Sequence, residues 1–239
     1  AMINRLYKSK NLKIAALLVI IFITAIYSSL TISQNRYWQK PLRFYERTLK
    51  YAPLSARLYN NIAVLYYDIG SYDKAAYFCN KAIELKPDYA SAYYNMGNIY
   101  RTSGDNSNAI ISYNKALEID PNYAKAYNNL GVSYSNMGRH QEAITSYKKS
   151  LSINPYNANA HNNLGNSYFY TGQFKLAVDS FEKAIKLSSR YGAAYFNLSM
   201  TYFHEEEYGK AVKYCDKAIR LGYKVDPEFL KLLEAHRRK

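Results

Sequence analysis

Cysteine is nearly missing from this chain, with only Cys79 and Cys215 in 239 residues. That excludes a disulfide scaffold and a four-thiolate zinc site. Six Pro and ten Gly are too few for a collagen-like or linker-dominated chain. Acidic residues are also short, 18 against 32 Lys and Arg, for a formal charge of +14. Catalytic constellations are absent. The four His (140, 161, 204 and 236) are scattered, and Glu205, Glu206 and Glu207 read as a solvated loop. No enzyme activity, cofactor or metal is therefore expected. What the chain has in quantity is Tyr, at 28 residues, and 49% hydrophobic content, which excludes wholesale disorder.

The positive charge is unevenly spread. Residues 1–50 carry nine Lys and Arg and one acid, Glu46, while the remaining 189 carry 23 and 17. A uniform basic face for nucleic acid is a poor fit to that distribution; basic flanks beside a membrane fit it better. Residues 14–32 are uncharged. At about 1.5 Å per residue they make roughly 28 Å of helix, close to the ~30 Å hydrocarbon core. Arg5, Lys8, Lys10 and Lys13 precede the run, and Tyr27, Tyr37 and Trp38 lie near its far end, where amphipathic rings suit the interface. A cleaved signal peptide needs small residues before the cut. Cutting after Ser29 meets Tyr27 and cutting after Ser28 meets Ile26, so a retained single-pass anchor is expected. Orientation stays open by charge counting, because Arg36, Lys40, Arg43 and Arg47 follow the run.

The rest of the chain repeats. Ala75, Ala109, Ala143, Ala177 and Ala211 stand 34 apart, as do Tyr66, Tyr100, Tyr134, Tyr168 and Tyr202. Asn61, Asn95, Asn129, Asn163 and Asn197 form a third such series. The units are 56–89, 90–123, 124–157, 158–191 and 192–225. Within the third, Ala126, Leu130 and Tyr134 make one helical stripe, Gly138 turns the chain, Ala143, Tyr147 and Leu151 make a second, and Pro155 stops it. One such pair cannot cover its apolar face, whereas a stack of five can. Counting back from Pro53 makes residues 40–52 a lone second helix bearing Leu42, Tyr45 and Leu49, within a 33–55 junction. Asp226 and Pro227 open a last helix over 226–239, a cap with Phe229, Leu230 and Leu233 toward the stack.

Tyr127, Leu130, Gly131, Tyr134, Ala143, Tyr147 and Pro155 resemble the tetratricopeptide repeat (TPR) pattern. The resemblance covers 56–225 and implies an all-α helix-turn-helix solenoid, a right-handed superhelix, here behind a single transmembrane helix. Departures are local: Ala63 and Ser199 replace a Gly, His161 an aromatic, Glu206 the turn Gly, and Ser189 and Tyr223 a Pro. His161 then falls on a core position. Cys79 and Cys215 share one repeat position four units apart, too far for the ~7 Å Cα separation a disulfide tolerates.

The resemblance also implies a concave groove lined by first helices. One row is Asn60, Tyr94, Asn128, Asn162 and Phe196, and the next is Val64, Asn98, Val132, Asn166 and Met200. A third is Tyr67, Arg101, Ser135, Phe169 and Phe203, beside the unbroken Asn61, Asn95, Asn129, Asn163 and Asn197. An Asn amide donates and accepts at once, as a peptide amide does. The Asn row, similar to the asparagine ladder of the O-GlcNAc transferase repeat arm, is thus expected either to hold an extended peptide by its backbone or to bond neighbouring helices. Phe169, Tyr170, Phe196 and Phe203 are expected either to stack an apolar peptide side chain or a sugar ring, or to pack on the last helix. Chaperone-binding members grip a terminal carboxylate with Lys and Arg. The matching offsets here carry Asn60, Val64 and Asn129, so that clamp is not expected.

The junction adds a second resemblance. Asn35-Arg-Tyr-Trp38, Pro41-Leu, Pro53-Leu-Ser-Ala-Arg57 and Asn60-Asn61 after an apolar run look like the last membrane helix and linker of bacterial transmembrane-and-TPR O-mannosyltransferases. That implies repeats outside the cytoplasm. The family's acidic catalytic loop and earlier helices have no counterpart in this sequence. Two functions are expected: a membrane-anchored adaptor binding a protein or extended peptide, or a substrate-presenting tail of a membrane glycosyltransferase. Ala1 in place of Met fits a processed start or a piece of a longer protein.

Overall fold

A computed structural model describes residues 21–24, 27 and 41–237. Of the expected anchor, 21–24 and Tyr27 are helical and exposed, and the rest of 14–32 lies outside the described residues, as does 33–40. No helix among the described residues is long and apolar enough to cross a membrane.

Twelve helices are described from Pro41 onward, and no strand. Helix α1 is Pro41–Tyr51. The first pair is α2 (Ala56–Asp68) with α3 (Tyr72–Leu85), and the second α4 (Ala90–Thr102) with α5 (Asn106–Ile119). The third is α6 (Ala124–Asn136) with α7 (His140–Ile153), and the fourth α8 (Ala158–Tyr170) with α9 (Phe174–Leu187). The fifth is α10 (Gly192–His204) with α11 (Tyr208–Arg220), followed by α12 (Pro227–Arg237).

The 34-residue register is written into the backbone. Gly70, Gly104, Gly138 and Gly172 each sit at positive φ, between 72° and 85°, to reverse the chain inside a pair. Such a left-handed turn is cheap only without a Cβ. Glu206 occupies the same place in the fifth pair and is held at φ 60° regardless. Ser55, Asp105 and Asn157 cap α2, α4's partner α5, and α8 by accepting a backbone N–H three residues on.

Within each pair the two helices meet through small residues. Ala75, Ala109, Ala143, Ala177 and Ala211 are fully buried, and Ser150 donates to the Ala124 carbonyl at 2.8 Å. The large residue of each contact is matched to the small one opposite. Gly97 faces the Tyr113 ring, Gly131 the Tyr147 ring and Gly165 the Phe181 ring. At the ends of the stack the first partner grows, to Ala63 and Ser199, and the second shrinks to Cys79 and Cys215, all four buried. The cysteines are free thiols serving as small core residues. Burial pushes the Cys79 thiol up to about 12, the expected direction when an ion loses water.

Consecutive first helices touch one another, whereas consecutive second helices do not, among the described residues. First helices therefore line the inside of the curve. Both ends are closed. Leu42, Tyr45 and Leu49 of α1 pack on the first core cluster, and the Tyr66 hydroxyl donates to Glu46 at 3.2 Å. Phe229 and Leu233 of α12 are buried against the fifth pair, and Arg237 pairs with Asp216.

Candidate functional site

The inner face is assembled by stacking first helices, so its side chains meet their equivalents one repeat away. Asn95 Nδ2 donates to Asn60 Oδ1 at 2.8 Å, and Asn197 Nδ2 to Asn162 Oδ1 at 3.0 Å. Asn129 Nδ2 donates to Asn98 Oδ1 at 2.8 Å and to the Tyr94 hydroxyl at 3.2 Å, while its Oδ1 accepts from Asn128. These three amides bond first helices together, each through its Nδ2. Asn61 follows a lone second helix and makes no such bond among the described residues. Asn163 makes none either. In register its partner would be Asn128, whose Nδ2 is turned to Asn129 and whose Oδ1 is buried without a partner.

Around Asn98 the network thickens. Its Oδ1 also accepts from the Tyr113 hydroxyl at 2.8 Å. Burial raises the Tyr113 phenol to about 12, against the opposing pull of the Arg101 guanidinium beside it. Arg101 Nε is enclosed and has no hydrogen-bond partner. Between α2 and α4 lies a recess of about 190 Å³ lined by Val64, Tyr67, Asp68, Asn95 and Asn98.

The aromatic end divides in two. Phe196 stacks on Tyr223 at 5.0 Å and meets Phe229 edge-on. Phe203 meets Phe229 and Tyr208. Both serve the closing helix, one of the two roles expected of them. Phe169 instead meets Phe174 at 5.6 Å and His204 at 4.9 Å, beside the exposed Tyr170, on which His140 stacks at 4.8 Å. Asn166 sits half-buried between the two ends of the groove.

Sequence reading missed two larger recesses on the outer face. One, about 630 Å³, is floored by Tyr127, Leu130 and Tyr134; the other, about 570 Å³, by Tyr93, Met96 and Tyr100. They are the same place one repeat apart, opened because second helices splay where first helices touch. The 34-residue register carries these rings in sequence, but not the splay. Their rims hold Glu142, Lys148 and Lys149 in one case and Lys115 and Glu118 in the other, ordinary solvated charge. No group of metal-ligating side chains occurs among the described residues.

No curated protein matches the chain in sequence. Family models do. One described as TPR repeat matches residues 64–104 and 97–138, and two described as Tetratricopeptide repeat match 122–190 and 162–222. Among solved structures the chain is similar to MamA, at 26% identity and TM-score 0.63 over 67% of this chain and 94% of that one. It is also similar to YrrB, described as a TPR protein with an unusual peptide-binding site, at 23% identity and TM-score 0.66 over 81% and 97%. A third is PilF of Pseudomonas aeruginosa, at 23% and 0.66 over 71% and 78%. With the models together spanning 64–222 and the 34-residue helix pairs in place, the chain belongs to the tetratricopeptide repeat family.

Proposed function

We propose that this chain is a membrane-anchored scaffold, without chemistry of its own, whose inner groove holds an extended segment of a protein partner. The single observation that carries the groove is its lining: first helices side by side, presenting half-buried Val64, Asn98, Arg101, Asn166 and Phe169 at the repeat spacing. None of them closes a turn, and of the five only Phe169 packs against a core cluster. The peptide-binding site of YrrB belongs to that protein; at 23% identity it lends this chain a fold and no residue. The anchor rests on the uncharged run 14–32, and placement of the repeats outside the cytoplasm on the junction resemblance.

A photo-crosslinking residue placed at Asn166, on the inner face, should capture a protein partner in native membranes, and one at Ile111, on the outer face, should not. Capture at Ile111 alone would overturn the groove. Retention of the full chain in the pellet after carbonate washing tests the anchor, and release into the supernatant would remove it.

The junction residues Asn35, Arg36, Tyr37, Trp38 and Pro41 favour a second reading, the substrate-presenting tail of a membrane O-glycosyltransferase. An open reading frame running upstream of Ala1 through further apolar helices supports it; a start codon there supports the free-standing adaptor.

A further inference from the structure

Three of the five ladder Asn are bonded between repeats, so the other polar and apolar groups of the groove bear on what fits it. Arg101 is the one charged member of its row, Tyr67, Arg101, Ser135, Phe169 and Phe203. It is half-buried, its Nε is enclosed without a partner, and it forms no ion pair among the described residues. Its neighbour is the neutral Tyr113 hydroxyl. A guanidinium with an enclosed, unpartnered Nε and no ion pair has room for a counter-ion. A carboxylate suits its planar fork, two parallel bonds at once. Two repeats along the same row, Phe169, Phe174 and His204 form a ring cluster with centroids 4.9–5.8 Å apart. Ser135 between them is small, its hydroxyl 3.5 Å from His140 Nδ1.

We infer that the groove, on the scaffold reading above, takes an extended partner segment that sets a carboxylate side chain on Arg101 and a large apolar side chain on the Phe169 ring cluster. Neighbouring first helices pack about 8–10 Å apart. Two steps are therefore roughly 16–20 Å, or about five or six residues of extended chain at ~3.3 Å each. The ligand is an acidic residue and an apolar residue at that spacing, on a single strand. Charge complementarity at Arg101 favours this occupant, because Asp68, the acid lining the recess between α2 and α4, forms no ion pair with it among the described residues.

The test is selection of phage-displayed random dodecapeptides on the full chain in detergent micelles, beside Arg101→Gln, Arg101→Lys and Phe169→Ala/Phe174→Ala chains of equal helicity. Wild type should enrich Asp or Glu with Phe, Trp or Leu five or six residues away. Arg101→Gln should lose the acid and keep the apolar residue, Arg101→Lys should retain the acid, and the double alanine chain should lose the apolar residue alone. Changing Glu to Gln in one selected peptide should weaken binding about tenfold on wild type and little on Arg101→Gln, as for a hydrogen bond to a charged group. Equal acid enrichment on wild type and Arg101→Gln, or selected peptides without an acid, overturns the inference and leaves the groove. Failure of the folded wild type to enrich any peptide retires the groove itself, and this inference with it.

Discussion

Gly131→Ala sets two effects of opposite sign against each other. Alanine is the better helix former, by about 1 kcal/mol in a helix interior. But a Cβ on Gly131 would lie 2.6, 2.8 and 2.9 Å from Cε1, Cδ1 and Cζ of Tyr147. Comfortable carbon contacts are about 3.5–4.0 Å, so three ring atoms overlap by roughly 1 Å. Tyr147 is 2% exposed and packed in a cluster with Ile144, Leu164 and Phe181, so its ring has nowhere to go. Overpacking of this kind costs about 1–3 kcal/mol. Gly131→Ala should therefore destabilise by roughly 1 kcal/mol net, lowering the melting midpoint by about 2–4 °C for a chain of this size.

The end repeats supply the control. They pair Ala63 with Cys79 and Ser199 with Cys215. Tyr147→Cys alone should open a cavity and cost about 3–5 kcal/mol, as loss of a buried aromatic does. On that background Gly131→Ala should turn favourable by up to ~1 kcal/mol, because the ring that opposed it is gone and helix propensity remains. Thermal melts followed by far-ultraviolet circular dichroism on the full chain and the three variants give the coupling directly. An equal penalty for Gly131→Ala with and without the Tyr147 ring would refute the argument that the ring selects the glycine.

Three further outcomes follow from single positions. Glu206→Gly should raise stability by about 1 kcal/mol, since Glu206 alone holds the left-handed turn without being glycine; no rise in melting midpoint would count against backbone strain there. Asn129→Ala should lower stability by about 0.5–1.5 kcal/mol and Asn163→Ala by much less, because only the first bonds the preceding repeat; equal losses would contradict the bonding described. His161 is held below its ordinary 6.5 by burial, against the Pro155 carbonyl bond and with a push from Lys183. The folded chain then binds fewer protons than the unfolded one, so this contribution is present above pH 6.5 and is lost as pH falls through the folded value. Replacing His161 by Tyr, the residue at this place in repeats two and three, should flatten the melting midpoint between about pH 7 and 5; an unchanged slope would assign it elsewhere.

The repeat was legible because two independent periods agree. Alternate small and large residues recur every 34 positions, and turn glycines recur with them. Burial then had one consistent solution, and Ala75 or Leu130 could face only one way. The cysteines were legible as small core residues but not as partners of Ala63 and Ser199. That match is a contact across two helices, and a single position shows only half of it. The large outer recesses were invisible for a related reason. Tyr93 and Tyr127 read as core, and whether core rings are roofed depends on how far neighbouring second helices splay. That is a property of the stack rather than of any unit.

The groove shows where reading stops. An Asn on a first helix satisfies the same spacing whether its amide points along the stack or out of it, so both roles stayed open. Geometry separates them by neighbour. Asn95, Asn129 and Asn197 find an acceptor one repeat earlier; Asn61 has no first helix before it among the described residues, and Asn163 meets an Asn128 already turned to Asn129. The same logic disposes of the aromatics. Phe196 and Phe203 have a closing helix within reach, and Phe169, with the fifth helix pair between it and that helix, packs on Phe174 and His204 instead. Phe196 and Phe203, packed on that closing helix, are lost to a ligand. On the scaffold reading proposed above, recognition falls to side chains whose neighbours do not complete them, Arg101 above all, and a survey of motif positions passes over it because the repeat pattern asks nothing of that position.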